Sequence, residues 1–239
     1  MRKRVLKWLG IGGLSLMVLA SITYAAIPGY HRAITPAAFG MTKVTNTFYI
    51  DDPAQAETTA ALIAQAEKLT SDFFGALRAD PIYIVCTTQD CKDRFGLKPR
   101  GLSLGYHLIL IDHIDDSALI FAHERIHAEL HRFMGLTDLF HQRYPAWFDE
   151  GLASHISGDT RLNRPANVAD ADWIKAAHSF QDWGRLHQDN HWQDTYGAAA
   201  RQVEEIEAHL GRSGLLDLIQ VVGDGADFNT TLGAQLPIE

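Results

Sequence analysis

Residues 121–127 read Phe-Ala-His-Glu-Arg-Ile-His, an HExxH sequence, and this segment sets the strongest limit on the fold. Two imidazoles four residues apart meet on one face only if the segment is an α-helix. Such a helix needs a buried flank, and Leu119, Ala122, Ile126, Leu130 and Phe133 supply one at helical spacing. That stripe lies beside the histidines, so His123 and His127 are expected at the edge of a core. Glu124 sits about 100° round the helix, near an ion the histidines could share without being a ligand. The helix is expected over about Ala118–Met134, with Asp115, Asp116 and Ser117 capping its start and Gly135 closing it.

The flanking sequence fits an α+β fold, with a small N-terminal sheet followed by a mainly helical lobe. Strands are expected at Thr47–Ile50, at Pro81–Cys86 and at Leu102–Asp112, all rich in β-branched or aromatic residues. Gly101 and Gly105 mark a bend, a bulge or close approach of another backbone in the third. A long helix follows Asp51, Asp52 and Pro53 to about Leu77, with Ala61, Leu62, Ala64, Leu69 and Phe73 at helical spacing. Later helices are expected over about Ala146–His155, Ala169–His178, Thr195–Leu210 and Leu215–Val222.

The first residues carry Arg2, Lys3, Arg4 and Lys7 ahead of an apolar run from Trp8 to Ile27. Twenty helical residues rise ~30 Å, enough to cross a hydrocarbon core. The basic flank predicts a cytoplasmic N-terminus, with everything after Pro28 on the far side. A cleaved signal peptide ending near Ala25 or Ala26 is the competing reading. The run exceeds a typical signal core, and Thr23 or Tyr24 fits poorly three residues before such a cut, so a single-pass anchor is preferred. Residues 1–27 are then anchor or signal, 28–45 a linker with Pro28, Gly29, Pro36 and Gly40, and 46–239 the catalytic-type domain.

Charge bears on partners. The chain has a net charge of −8, and without the four leader cations 17 positive and 29 negative side chains remain, a balance of −12. So acidic a domain is not expected to bind nucleic acid. The two cysteines, Cys86 and Cys91, fit a small disulfide loop in an oxidising compartment. A metal pair is the alternative, but no second Cys or His pair follows at finger-like spacing.

A catalytic zinc takes three protein ligands and keeps a position for water. His131 lies eight residues from His123, ~12 Å along the axis, and is expected at the surface rather than on the ion. A metzincin would need His where Phe133 stands, six residues after His127. Glu150 remains, in Tyr-Pro-Ala-Trp-Phe-Asp-Glu-Gly-Leu-Ala-Ser, residues 144–154.

HExxH followed by W-F-x-E-G-L-A resembles the gluzincin metallopeptidases, the thermolysin-like peptidase MA group. The resemblance covers about Leu102–Gly223 and is specific at these two motifs. It implies one zinc per domain, held by His123, His127 and Glu150, with Gly151 letting its helix pack closely on the HExxH helix. Several gluzincins carry a carboxylate four residues after the third ligand, where this chain has Ser154. Asp149 is a substitute to orient the histidines, but as the neighbour of Glu150 it is expected to point elsewhere.

Hydrolysis of a peptide or protein substrate would use zinc-activated water with Glu124 as general base. Tyr196 is the candidate oxyanion donor, because related domains place a tyrosine on a downstream helix; a helix-start tyrosine packed in the core is the other reading. His155, His178, His187 and His191 are further donors among which the sequence does not choose. The resemblance makes the strand Ser103–Ile111 the cleft edge, pairing with extended substrate; an internal core strand is the alternative. Trp173, Trp183 and Trp192 receive no role, and Glu129 is expected to be a silent position on the helix. Two rival functions share the motif. One is a zinc-stabilised interaction domain without turnover, against which the intact Glu124 argues. The other is a zinc hydrolase acting on a non-peptide amide; the resemblance favours peptides.

Overall fold

The computed structural model describes residues 29–112, 118–135 and 142–236. The expected membrane segment and the capping residues Asp115–Ser117 lie outside the described residues. Among the described residues no helix is long and apolar enough to cross a membrane.

Five short strands form one mixed sheet: β1 (Thr42–Lys43), β2 (Phe48–Ile50), β3 (Ile82–Cys86), β4 (Gly101–Leu104) and β5 (Leu108–Asp112). Their order is β1-β2-β3-β5-β4, with β2, β3 and β5 parallel and the two edges antiparallel. The near-continuous apolar runs of β3 and β5 follow from burial of both faces. Phe48, Ile50, Tyr83, Val85, Ile109 and Ile111 face Ile63 and Ala66 of helix α1 (Ala56–Phe74) and Phe121 and Ala122 further along the chain. Ile84, Cys86 and Leu110 face Ala33, Met41, Cys91 and Phe95 on the other side.

Three expectations change here. Residues 28–45 are not a free linker over their described part. Tight 3₁₀ turns at Gly29–Ile34 and Pro36–Phe39 bring Ala33 and Met41 into the second core, and Thr42–Lys43 joins the sheet. The expected strand 102–112 is a hairpin, because Gly105 takes φ +59° in the turn between β4 and β5. The loop after β3 winds into helix α2 (Gln89–Phe95), capped by the Thr88 hydroxyl on the Cys91 amide at 3.3 Å. The disulfide Cys86–Cys91 forms as expected and ties α2 to the end of β3, with Cα atoms 5.3 Å apart.

The helical lobe contains α3 (Ala118–His131), α4 (Ala146–Ser157), α5 (Phe180–Asp189), α6 (Trp192–Gly223) and α7 (Phe228–Gln235). Helix α6 merges the two helices expected over 195–222, with a kink at Gly211. Residues Val168–Ala176 form 3₁₀ turns where a helix is expected. Helix α5, where no helix is expected, opens on a capping box between Ser179 and Asp182 and turns Trp183 and Leu186 onto the core. Ile126, Leu130, Phe148, Leu152, Ala199, Val203 and Leu218 belong to the core shared by α3, α4 and α6. Gly151 serves the α4–α6 contact rather than α4–α3. A Cβ on it would lie 2.5 Å from the Ala199 carbonyl oxygen, so only glycine permits this approach.

Candidate metal centre

Helices α3 and α4 cross with their polar residues face to face. His123 Nε2 lies 3.0 Å from His127 Nε2 and 3.2 Å from Glu150 Oε2, and His127 Nε2 lies 3.4 Å from the same oxygen. Three donor atoms thus form a nearly equilateral triangle. A four-coordinate ion with bonds of ~2.0–2.1 Å holds its donors ~3.3 Å apart. His127, which is buried, and His123 and Glu150, which are partly buried, can therefore hold one metal ion.

The second layer differs from expectation. His127 Nδ1 donates to Asp149 Oδ1 at 2.7 Å, and His131 Nε2 donates to Asp149 Oδ2 at 2.7 Å. His131 is buried, not on the surface, and Asp149 has no exposed area. The reason is the length of the polar face on α3. His123, His127 and His131 repeat every four residues over two turns, so neighbouring residues of a crossing helix meet different rungs of that ladder. Glu150 meets the first two rungs and Asp149 the last two. Ser154 is buried and lines the adjoining cavity.

Burial alone would push the Asp149 carboxyl up, but the imidazoles of His131 and His127 outweigh it and hold it well below the usual carboxylate range. Glu150 behaves alike: burial raises it, and His127 and His123 bring it down to about 2. Burial lowers the His127 imidazole, but Asp149 and Glu150 raise it well above its ordinary value.

Glu124 stands beside the triangle. Its Oε2 accepts from Ser103 Oγ at 2.9 Å, on the edge strand β4, and the same hydroxyl reaches the Glu124 carbonyl at 2.7 Å. A Cβ on Gly101 would sit 2.4 Å from Glu124 Oε1, so this glycine makes room for the carboxylate. Ser103 and Gly101 thus bring the edge strand β4 against Glu124, whereas β5 is an internal strand.

Glu124 and His123 open onto a cavity of about 460 Å³. Leu119, Ile120, Trp192 and Tyr196 form part of its wall. The Tyr196 ring lies 5.8 Å from that of His123. Burial, then Glu150 and Glu124, raise the Tyr196 phenol well above its ordinary value, which keeps its proton in place as a donor.

Of the four further histidines, His187 alone faces this cavity, its ring 5.8 Å from Tyr196. His155 pairs with Glu207 at 2.7 Å, His178 borders a separate cavity of about 360 Å³, and His191 is exposed. The cavity wall also holds Asp159 paired to Arg161, whose guanidinium lies 5.4 Å from the Trp192 ring centroid. Nothing in the local sequence signalled this group.

Glu129 is not a silent surface position. It is fully buried on the far side of α3 and accepts from the amides of Arg78 and Ala79 at 3.0–3.1 Å. Arg125 and Arg132 pair with the same carboxylate.

No protein-family model matches the chain, and no curated protein matches it either.

Proposed function

We propose that this chain is a zinc-dependent metallopeptidase of gluzincin type, anchored by its N-terminal segment, with its catalytic domain outside the cytoplasm. One observation carries the reading: three metal donors at 3.0–3.4 Å from one another share a site with Glu124 at the mouth of a cavity edged by an open strand. Two imidazoles and one carboxylate suit zinc best among common divalent ions. The basic, then apolar, leader supports the anchor. The Cys86–Cys91 bond supports an oxidising compartment.

Zinc bound by His123, His127 and Glu150 would supply Lewis acidity, making a water molecule acidic enough to deprotonate near neutral pH. Glu124 takes that proton on its carboxylate as the water attacks a peptide carbonyl, and then delivers it to the departing amine. Ser103 holds Glu124 Oε2, so the base approaches with one oxygen fixed. Tyr196 keeps its phenolic proton and offers it as a hydrogen bond to the developing oxyanion. The exposed edge of β4 gives an extended peptide a strand to pair with.

The deciding experiment compares wild type and Glu124→Gln for zinc content and cleavage of a peptide library. Glu124→Gln should keep zinc and lose ~10²–10⁴-fold in turnover. Equal cleavage by both proteins would place the activity elsewhere. Zinc binding by both without any cleavage would favour a non-catalytic zinc domain or a non-peptide amide substrate.

A further inference from the structure

His131 lies two turns beyond His123 and takes no part in the donor triangle, yet it is only 6% exposed. Its Nε2 is 2.7 Å from Asp149 Oδ2, and Asp149 Oδ1 is 2.7 Å from His127 Nδ1. A short polar chain therefore runs from the core to one vertex of the triangle. Withdrawing a carboxylate and two imidazoles from water is costly, and apolar side chains of similar volume would stabilise such a core at least as well. Stability by itself does not account for the trio.

We propose that Asp149 and His131 are positioning residues that set how tightly the centre holds its metal, a role that rests on the metallopeptidase reading above. Asp149 accepts both N–H bonds, one on each carboxylate oxygen. His131 grips Oδ2, so the carboxylate cannot rotate, and Oδ1 stays in line with His127 Nδ1–H. That hydrogen bond keeps the His127 proton on Nδ1 and directs the Nε2 lone pair toward His123 and Glu150. It also makes the ring a better donor. His131 thus acts on the metal through two intervening groups, without touching it.

His127, His131 and Asp149 also lie close enough together to hold an ion of their own. Two features favour hydrogen bonds instead. Both N···O distances, 2.7 Å, are those of charge-assisted hydrogen bonds. In addition, an ion on each nitrogen of His127 would require that ring to lose both its N–H protons.

The test uses the full-length chain and measures zinc stoichiometry and zinc Kd by competition with a chromogenic chelator. Thermal unfolding of each zinc-free protein runs alongside. Wild type should bind one zinc. Asp149→Asn, nearly isosteric, should weaken binding ~10–100-fold, and His131→Leu about tenfold. His131→Gln should stay within ~3-fold of wild type, because its amide N–H can replace the imidazole donor on Oδ2.

Unchanged zinc affinity in both Asp149→Asn and His131→Leu would overturn the proposal. So would a His131→Gln protein as weak as His131→Leu, which would mean packing, not the hydrogen bond, matters. Two zinc ions in wild type, falling to one in His131→Leu, would replace it with a second metal site. Wild type that binds no zinc would remove both this role and the metallopeptidase reading. Wild type that binds zinc in this pattern but cleaves no peptide would overturn the peptidase alone and support the positioning role.

Discussion

Glu129 and Asp149 are both fully buried carboxylates against helix α3, one on each flank, and their surroundings are opposite in kind. Around Glu129 every near neighbour is a donor: two backbone amides from the loop before β3 and the guanidinium groups of Arg125 and Arg132. Both carboxylate oxygens of Glu129 are met by donors, and the flank is closed to ions. Across the helix, Asp149 is satisfied by His127 and His131, but the next layer outward is not balanced. His123 Nε2, His127 Nε2 and Glu150 Oε2, each able to accept, converge on one another. Such convergence is unfavourable unless a positive charge sits among them. Burial acts against the charged forms, but Asp149 and Glu150 raise the His127 imidazole, and His127 and His123 bring Glu150 down to about 2. The contrast separates a buried charge that its neighbours pair fully from converging acceptors that could hold a metal ion.

The largest expected effect tests the closed flank. Glu129→Ala would leave the buried Arg125, the half-buried Arg132 and two amides without their partner, and should destabilise the fold by ~3–5 kcal/mol in urea unfolding. The zinc affinity of the molecules that remain folded should not change. An unchanged unfolding midpoint would show that this flank carries no structural load.

Metal removal tests the open flank. With free zinc at about a thousand times its Kd, binding should add ~4 kcal/mol, which a chelator abolishes and calorimetry reads as a lowered Tm. Glu129→Ala should keep that increment. Glu150→Gln should lose most of it, with metal and activity falling together and partly rescued by added zinc. The comparison breaks if the two variants respond alike to the chelator.

A smaller effect is expected at the border between metal centre and sheet. Gly101→Ala puts a methyl 2.4 Å from Glu124 Oε1 and 2.6 Å from its Cγ, so the Glu124 side chain must shift as a whole. Stability should fall by ~1–3 kcal/mol, and, if Glu124 is the proposed base, peptide turnover should drop ~10–100-fold through its displacement. Zinc content should match wild type. A loss of zinc here would mean that Gly101 shapes the donors and not the base.

The smallest effect calibrates both flanks with a half-exposed carboxylate. Asp51 accepts from the amides and hydroxyls of Thr87 and Thr88 at 2.6–3.1 Å. Partial burial raises its pKa, but the Thr88 and Thr87 hydrogen bonds outweigh it and lower the folded-state value below 3.8. A folded pKa below the unfolded one stabilises the protein above pH 3.8, and this contribution fades as pH falls through the lowered value. Asp51→Asn should show a slightly shallower loss of urea resistance below about pH 4. Identical acid profiles would assign the stability of this turn to other groups.

The sequence by itself determined what depends on spacing along one element. His123 and His127 share a face because a helix repeats every 3.6 residues, and the helix could be read from its own apolar stripe. Cys86 and Cys91 are too near in the chain for their pairing to need help from the rest of the fold. Glu150 was legible only through the motif around it, and β3 through its apolar run. Tertiary structure alone decided what depends on how two elements cross. Crossing of α3 by α4 turned His131 inward and gave Asp149 two imidazoles, where spacing along either helix placed one outside and the other askew. The loop at Arg78 and Ala79 closed over Glu129, fifty residues distant in sequence. Gly151 met α6 instead of α3 for the same reason. A helical period fixes the angle between residues on one cylinder, but the rotation of one cylinder against the next is set by the packing of whole apolar faces. Which polar atoms end up facing each other, and so whether a buried charge is closed off or left to gather a metal, is the outcome of that packing.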